Sequence, residues 1–396
     1  MKKEEKMVPL EEAGKVIKGF GKPSAIEDVL PIEALGRVLG EDIYSPIEMP
    51  PFNKSAMDGY AVISGDNPEE FEVIETIPAG KFPEKEIRPG QCSRIMTGAP
   101  LPPGSDRVIK IEVTEEKNGF MKLTGEDTGF NVCIRGEDIK KGDKVLKRGT
   151  IIRAPEIGAI ASLGYNNVKV YKKVNAGIIT TGSEIVEPGE KLPPGSIYNS
   201  NGYSISAQLI SSGVNVAERK IIEDDKKKIL DSVRSMMDRF DLVIISGGVS
   251  MGEFDYVPEI LEELGVKIHF NKVAIQPGKP TLFGTLGDKV VFGLPGNPVS
   301  TFVVFEIVVK PLLARMSGAV PDVSLLKGVL KTDFKRKKIE RDLFVPVYYG
   351  RDGFVELIEY HGSAHFVSLS KANGLLKINK GIKEISGGTK VDVRPI

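Results

Sequence analysis

The segment Ser246-Gly247-Gly248-Val249-Ser250-Met251-Gly252-Glu253 has the residue types and spacing for anion chemistry. It follows the run Asp241 to Ile245 and leads to Asp255. Five residues of that kind read as a buried strand, and the segment Tyr256 to Leu264 after the loop reads as a helix. Glycines let backbone N–H groups converge on phosphate oxygens with no Cβ in the way. The serines add hydroxyl donors, and Asp255 can recruit a divalent cation. A glycine-rich strand-to-helix turn can also be only a tight turn, so other loops must decide.

Two further loops leave expected strands with polar or acidic residues: Thr180-Thr181-Gly182-Ser183-Glu184 and Gly293-Leu294-Pro295-Gly296-Asn297-Pro298. In an open parallel sheet ligands bind outside the carboxyl ends of the strands, so distant loops can line one crevice. Glu184 and Asp255, with Asp224, form a carboxylate set able to hold Mg²⁺ against a pyrophosphate. Asp224 also precedes an expected helix, where it could serve only as a cap. Pro298 suits a first helical turn, and an anion there would meet free N–H groups; a rigid turn is the alternative. Lys272 and Lys279 bracket Gln276-Pro277-Gly278 and could supply local positive charge, or stand as solvated surface.

The stretch Pro50 to Ala61 is dense in rigid, small and polar residues. Its Asp58 precedes Gly59, as a turn aspartate does, and could also orient a substrate or water. Thr97-Gly98-Ala99-Pro100 and Arg135-Gly136-Glu137-Asp138 share that polar loop texture. His361 and His365 stand four apart with no third zinc ligand apparent. Cys92 and Cys133, far apart in sequence, form neither a disulfide framework nor a zinc pattern, and read as packing or loop residues.

These loops need a scaffold, and 396 residues exceed what one core usually organises, so several domains are expected. The composition, 41% hydrophobic and 27% charged, is that of a soluble globular chain. With 54 basic and 54 acidic residues there is no global field for nucleic acid or membrane. Met1 to Lys6 has no apolar signal core, and Thr301 to Val309, interrupted by Glu306, is too short for a membrane span; a cytoplasmic protein with a buried helix there is expected. Leu10, Ala13, Ile17 and Phe20 fit one helix face, and Ser24 to Glu27 matches a capping box for a further helix. From Pro50 to about Asp143, short apolar runs at Phe71 to Ile77, Val108 to Val113 and Phe120 to Leu123 predict a small β-domain with a hairpin at Lys117-Asn118-Gly119. After Val174, strands at Gly177 to Thr180, near Val214 and at Leu242 to Ile245 alternate with helices at Tyr203 to Ser211 and Asp225 to Phe240. That succession predicts a parallel or mixed α/β sheet, with Met236 and Met237 in its core. Beyond Pro321, runs at Leu343 to Tyr348, Phe354 to Ile358 and Val391 to Val393 predict a terminal β-domain.

Together the motifs resemble the molybdopterin molybdenumtransferase family, the bacterial and archaeal MoeA proteins and the equivalent E domain of gephyrin. The carrying segments are SAMDGYAV at Ser55 to Val62, TGAPLPPGSDRVI at Thr97 to Ile109 and RGEDIKKGD at Arg135 to Asp143. SGGVSMGEFDYV at Ser246 to Val257, QPGKP at Gln276 to Pro280 and GLPGNPVS at Gly293 to Ser300 complete the set.

The resemblance implies four domains: an elongated, dimerising N-terminal domain (1–50 with 144–172), a small β-domain (51–143), an α/β molybdopterin-binding domain (173–320) and a C-terminal β-barrel-like domain (321–396). It implies a homodimer whose cleft joins the α/β domain of one subunit to the small β-domain of its partner. The implied reaction inserts molybdenum, from molybdate, into adenylylated molybdopterin with Mg²⁺-dependent release of AMP; tungstate would suit the same geometry, and the preceding adenylyltransferase is an implied partner. Asp58, Thr97, Asp138, Glu184, Asp224, Asp255, Lys272 and Lys279 match positions in or beside the family's cleft. Ser246, Gly247, Gly248, Ser250, Pro295, Gly296, Asn297 and Pro298 match its pterin and phosphate contacts. Three positions depart: Ser183 replaces an aspartate of a TGDE motif, Asn53 a common aspartate, and Cys133 an often basic residue. The competing readings are a molybdopterin adenylyltransferase, which shares the α/β fold, and a gephyrin-like scaffold.

Overall fold

The structure is a computed structural model and describes residues 7–249, 255–320, 324–358 and 366–396. The chain divides into two compact units, Met1–Gly40 with Gly149–Arg153 and Asn167–Ile396, and Glu41–Arg148 with Ala154–Asn166.

The centre of the first unit is a six-stranded mixed sheet. Asn215–Ile222, Asn175–Thr181, Leu242–Ser246 and Lys289–Leu294 run parallel in that spatial order, followed by antiparallel Pro280–Leu286 and Lys267–Lys272. Successive side chains of a strand point to opposite faces, and both faces of this sheet are covered. Hence the inner strands Asn175–Thr181, Leu242–Ser246 and Lys289–Leu294 are mostly apolar and almost wholly buried, whereas Asn215–Ile222 and Lys267–Lys272 at the edges carry charge. Ile178, Leu242, Ile244 and Phe292 pack into one core, while Ile179, Val243, Ile245 and Val291 pack into the other. Full burial of each such side chain contributes about 1.5–3 kcal/mol. Met236 and Met237 of the helix Lys226–Arg239 lie in the second core, as the helical spacing predicts. Asp225 caps this helix through a 2.9 Å bond from Lys228 N–H, so the capping role open to Asp224 belongs to its neighbour.

The first core also takes Ile205 and Leu209 of the helix Ser200–Ser211 and Ala13 and Ile17 of the N-terminal helix Leu10–Lys18. The expected buried helix is present as Pro298–Val304, a π-helical turn Phe305–Val309, and Lys310–Met316. Glu306 does not interrupt it. Its buried carboxylate is paired, accepting from Lys310 Nζ at 2.8 Å and Gln208 Nε2 at 3.1 Å, as a buried charge requires.

The capping box expected at Ser24 to Glu27 is a correction. Ile26–Val29 is a strand, antiparallel to Val168–Tyr171. The Ser24 hydroxyl donates to Lys172 O, at that strand's end, rather than to a helical N–H. A partner 139 to 145 residues away in sequence decides the local conformation, and Pro31–Ala34 supplies only one short 3-10 turn.

The C-terminal region closes into a five-stranded barrel. Asp342–Tyr349, Phe354–Leu357, Leu326–Leu330, Lys390–Pro395 and Gly374–Ile378 pair in a ring, with Leu330, Val345, Val347, Val355, Leu376 and Val393 buried together.

The second unit is built on a curved sheet in the order Arg107–Lys110, Gly59–Val62, Gln91–Ile95, Phe71–Ile77, Phe120–Leu123, Thr114–Lys117. The predicted hairpin is there: Asn118 and Gly119 take φ of 54° and 82°, the two positive values a type I′ turn requires. The strand expected to reach Val113 ends at Lys110, and Ile111–Val113 is a 3-10 turn. Cys92 is buried, and burial, with the Glu116 carboxylate adding to it, pushes its thiol up to about 12; Cys133 is half-buried and both are free. A buried thiol held protonated is a poor nucleophile, and Cys92 packs in the core of this sheet.

Candidate active site

The parallel strands place their carboxyl ends side by side. Strand Asn175–Thr181 connects outward to Asn215–Ile222, whereas Leu242–Ser246 lies on its other side, so the order reverses between Asn175–Thr181 and Leu242–Ser246. A crevice is expected outside such a reversal point. A cavity of about 970 Å³ lies there, lined by Thr180 to Gly182, Glu184, Asp224, Ser246 to Val249, Asp255 and Pro295 to Pro298.

Hydrogen bonds within and between the strand-end loops fix the floor. Gly247 N–H donates to Leu294 O at 3.1 Å, Val257 N–H to Gly248 O at 3.1 Å, and Gly182 N–H to Ile222 O at 3.1 Å. Gly247 has φ 97° and Gly248 63°, so both turn through the region where a side chain is strained. The helix Ser200–Ser211 aims its first turn at the cavity, its Asn199 cap accepting from Gly202 N–H at 2.9 Å, and Pro298 opens the other helix bordering it. Helix N-termini present free N–H groups and favour anions.

The charged lining is acidic: among the described residues Glu184, Asp224 and Asp255 line the cavity, and no lysine or arginine does. Ser183 and Asp224 clasp each other, each backbone N–H donating to the other's side-chain oxygen at 3.2 Å, so Ser183 orients Asp224. Among the described residues no group of three His, Cys, Asp or Glu side chains is gathered tightly enough to enclose a metal ion.

The structure therefore brings together Glu184, Asp224, Asp255, Ser246, Gly247, Gly248, Pro295, Gly296, Asn297 and Pro298. Ser250, His361 and His365 lie outside the described residues. Lys272 and Lys279 do not line the cavity, although Lys279 adjoins lining Pro280. Sequence reasoning missed Ile197, Tyr198, Asn201 and Phe366 to Ser368 on its wall. The polar run Asn199-Ser200-Asn201-Gly202 before a helix was a usable signal for Asn201. Phe366 to Ser368, from the C-terminal region, carry no comparable mark.

Asp58, Thr97 and Asp138 belong to the second unit. Thr97 donates to Asp58 Oδ1 through its hydroxyl at 2.6 Å and its backbone N–H at 2.7 Å. These bonds, the hydroxyl first, hold the exposed carboxyl below its ordinary range. With a lowered value in the folded state, the Asp58–Thr97 link is intact at neutral pH and is lost as pH falls through that lowered value. NMR titration is expected to find the Asp58 midpoint below that of an ordinary aspartate, and Thr97→Val to raise it only part of the way, because the backbone donor remains. An unmoved midpoint in Thr97→Val would contradict the assignment. Asp138 sits on another turn, its N–H donating to Met49 O at 3.1 Å. Asn53 accepts from Arg135 N–H at 2.8 Å and thereby ties that turn down. His269 packs on Phe20 at 4.3 Å and shares a 2.9 Å bond with Thr285; burial lowers its pKa, and this half-buried ring does not line the cavity.

Family models match along the chain: the MoeA N-terminal region (domain I and II) over residues 8–164, a probable molybdopterin binding domain over 177–315 and the MoeA C-terminal region (domain IV) over 327–396. A molybdopterin molybdenumtransferase of Staphylococcus epidermidis is 37% identical over 372 residues, 91% of this chain and 89% of its own. One from Bacillus subtilis is 36% identical over 401 residues, 98% and 93% of the two chains. The crystal structure of the molybdopterin biosynthesis moeA protein from Pyrococcus horikoshii OT3 superposes with a TM-score of 0.85 at 31% identity, covering 99% of this chain and 100% of that one.

Proposed function

The chain belongs to the MoeA family of molybdopterin molybdenumtransferases, and we propose that its strand-end cavity binds adenylylated molybdopterin and inserts molybdenum into it, with Mg²⁺-dependent release of AMP. The observation that carries this reading is the convergence of the loops at Thr180 to Glu184, Ser246 to Val249 and Pro295 to Pro298 on one cavity at the sheet's reversal point.

An acidic lining is a poor match for a phosphoanhydride on its own. Mg²⁺ resolves the conflict, because it binds through one or two carboxylates and completes its shell with phosphate and water oxygens. Glu184, Asp224 and Asp255 fit that mode, as a shared wall without a closed three-carboxylate cage. When bound there, Mg²⁺ would offset charge on the phosphoanhydride as it breaks. The chain's own work is positional. Ser183 holds Asp224 in place, and the Gly247 and Gly248 turn keeps side chains clear of the phosphates. The first turn of Ser200–Ser211 presents N–H donors to developing negative charge.

Lys272 and Lys279 are proposed to attract molybdate to the rim, and Asp58, Thr97 and Asp138 to act in the same reaction on the strength of the family resemblance. The proposal extends to a homodimeric, cytoplasmic enzyme of four domains with the boundaries given above, supplied by an adenylyltransferase and able to take tungstate. Among the described residues no helix is long and apolar enough to cross a membrane.

Purified protein given adenylylated molybdopterin, Mg²⁺ and molybdate is expected to release one AMP per molybdopterin, and to release little when Mg²⁺ is chelated. Consumption of ATP with molybdopterin in the absence of molybdate would instead identify an adenylyltransferase. Partner binding with neither activity would identify a scaffold.

A further inference from the structure

Asn201 is 7% exposed and lines the cavity from the first turn of Ser200–Ser211. Its Nδ2 donates to Gly296 O at 2.7 Å and to Ser246 Oγ at 2.8 Å. A backbone carbonyl only accepts, so the atom facing Gly296 O must be the amide nitrogen, and the side chain cannot be flipped. The Ser246 hydroxyl is committed as well, since it donates onward to Pro295 O at 3.3 Å. Both protons of the amide are thus spent, and Oδ1 is left buried with no hydrogen-bond partner among the described residues. The hydroxyls of Thr180 and Thr181, on the same cavity, are in the same condition. Buried polar groups are nearly always paired, so unpaired ones gathered on one cavity point to a ligand with complementary polar edges.

We infer that Asn201 Oδ1 is a specificity determinant that accepts a hydrogen bond from the exocyclic amine of a 2-amino-4-oxo pterin ring. This rests on the reading of the cavity as the molybdopterin site. An acceptor locked in place discriminates strongly: a 2-oxo ring would set a carbonyl oxygen against Oδ1, repelling it and leaving it unpaired. The threonine hydroxyls can donate or accept, and so satisfy the ring without choosing between the two.

The test uses the full-length protein and two probes, pterin and its 2-oxo counterpart lumazine, with binding measured by fluorescence titration and AMP binding measured in parallel. Wild-type protein is expected to bind pterin at least about tenfold more tightly than lumazine. Asn201→Ala is expected to bring the ratio within about twofold. Pterin binding with an undiminished ratio in Asn201→Ala, or with no preference in the wild type, overturns the role of Asn201 and leaves the cavity assignment standing. Failure of the wild type to bind either ring while binding AMP overturns the cavity assignment and this inference with it. Should Asn201→Ala fail to fold, as judged by thermal unfolding, the wild-type pair of affinities decides alone.

Discussion

Asp255→Ala and Glu184→Ala are each expected to slow Mg²⁺-dependent AMP release by about 10²- to 10³-fold in single-turnover assays. The size follows from the electrostatics of the cavity. Its charged lining among the described residues is carboxylate, so on the proposed reading the same groups that repel a phosphoanhydride without a cation would hold the cation that neutralises it. Removing one leaves two to share the ion, and affinity for Mg²⁺ falls with it. Raising Mg²⁺ should therefore restore part of the lost rate in each variant, which simple misfolding would not allow. Asp255 is half-buried and Glu184 exposed, so the greater loss is expected at Asp255, where water screens the charge less. Thermal unfolding near that of the wild type is the control. Single-turnover AMP release at the normal rate by both variants would remove these residues from the metal site.

The legible parts of the molecule were those whose pattern is local. Leu242 to Ile245 announces a strand covered on both faces, Ile229 to Phe240 a one-sided helix, and Asn118-Gly119 a tight hairpin, because each is set by neighbours within a few residues. The cavity's loops were legible from their own residues, since glycine-rich and proline-rich turns are themselves constrained sequences, and the resemblance added the family. Ile26–Val29 was illegible as a strand because its partner is Val168–Tyr171, and nothing near it in sequence encodes that pairing. Asn201 was passed over for a related reason: its chemistry comes from Gly296 O and Ser246 Oγ, brought to it only by the sheet. Asp224 was open to two readings, helix cap or cavity carboxylate. Its place before a helix suggested a cap, yet a one-residue offset gives that role to Asp225 and frees Asp224 to meet Ser183.

Gly247→Ala is expected to cost about 2–4 kcal/mol in the α/β region and to abolish AMP binding at the cavity. Two separate penalties combine at this position. The first is conformational, since φ of 97° is unfavourable for any residue with a Cβ. The second is steric: the new Cβ would stand 2.6 Å from Thr181 O and 2.7 Å from Thr181 Oγ1. The carbonyl belongs to the last residue of a strand paired on both sides, so it cannot yield as a flexible side chain would. Gly189 separates the two terms. Its φ is 98°, almost the same, but a Cβ there would have nothing within 4 Å. Gly189→Ala should therefore carry the conformational cost alone, about 1–2 kcal/mol, and leave AMP binding intact. The difference between the variants in chemical denaturation then measures how tightly the Thr180 to Glu184 loop is pressed against the Ser246 to Val249 loop. Equal destabilisation by the two substitutions, with AMP binding retained in both, would mean that Gly247 serves the turn alone and that the close approach of the two loops is not what shapes the phosphate floor.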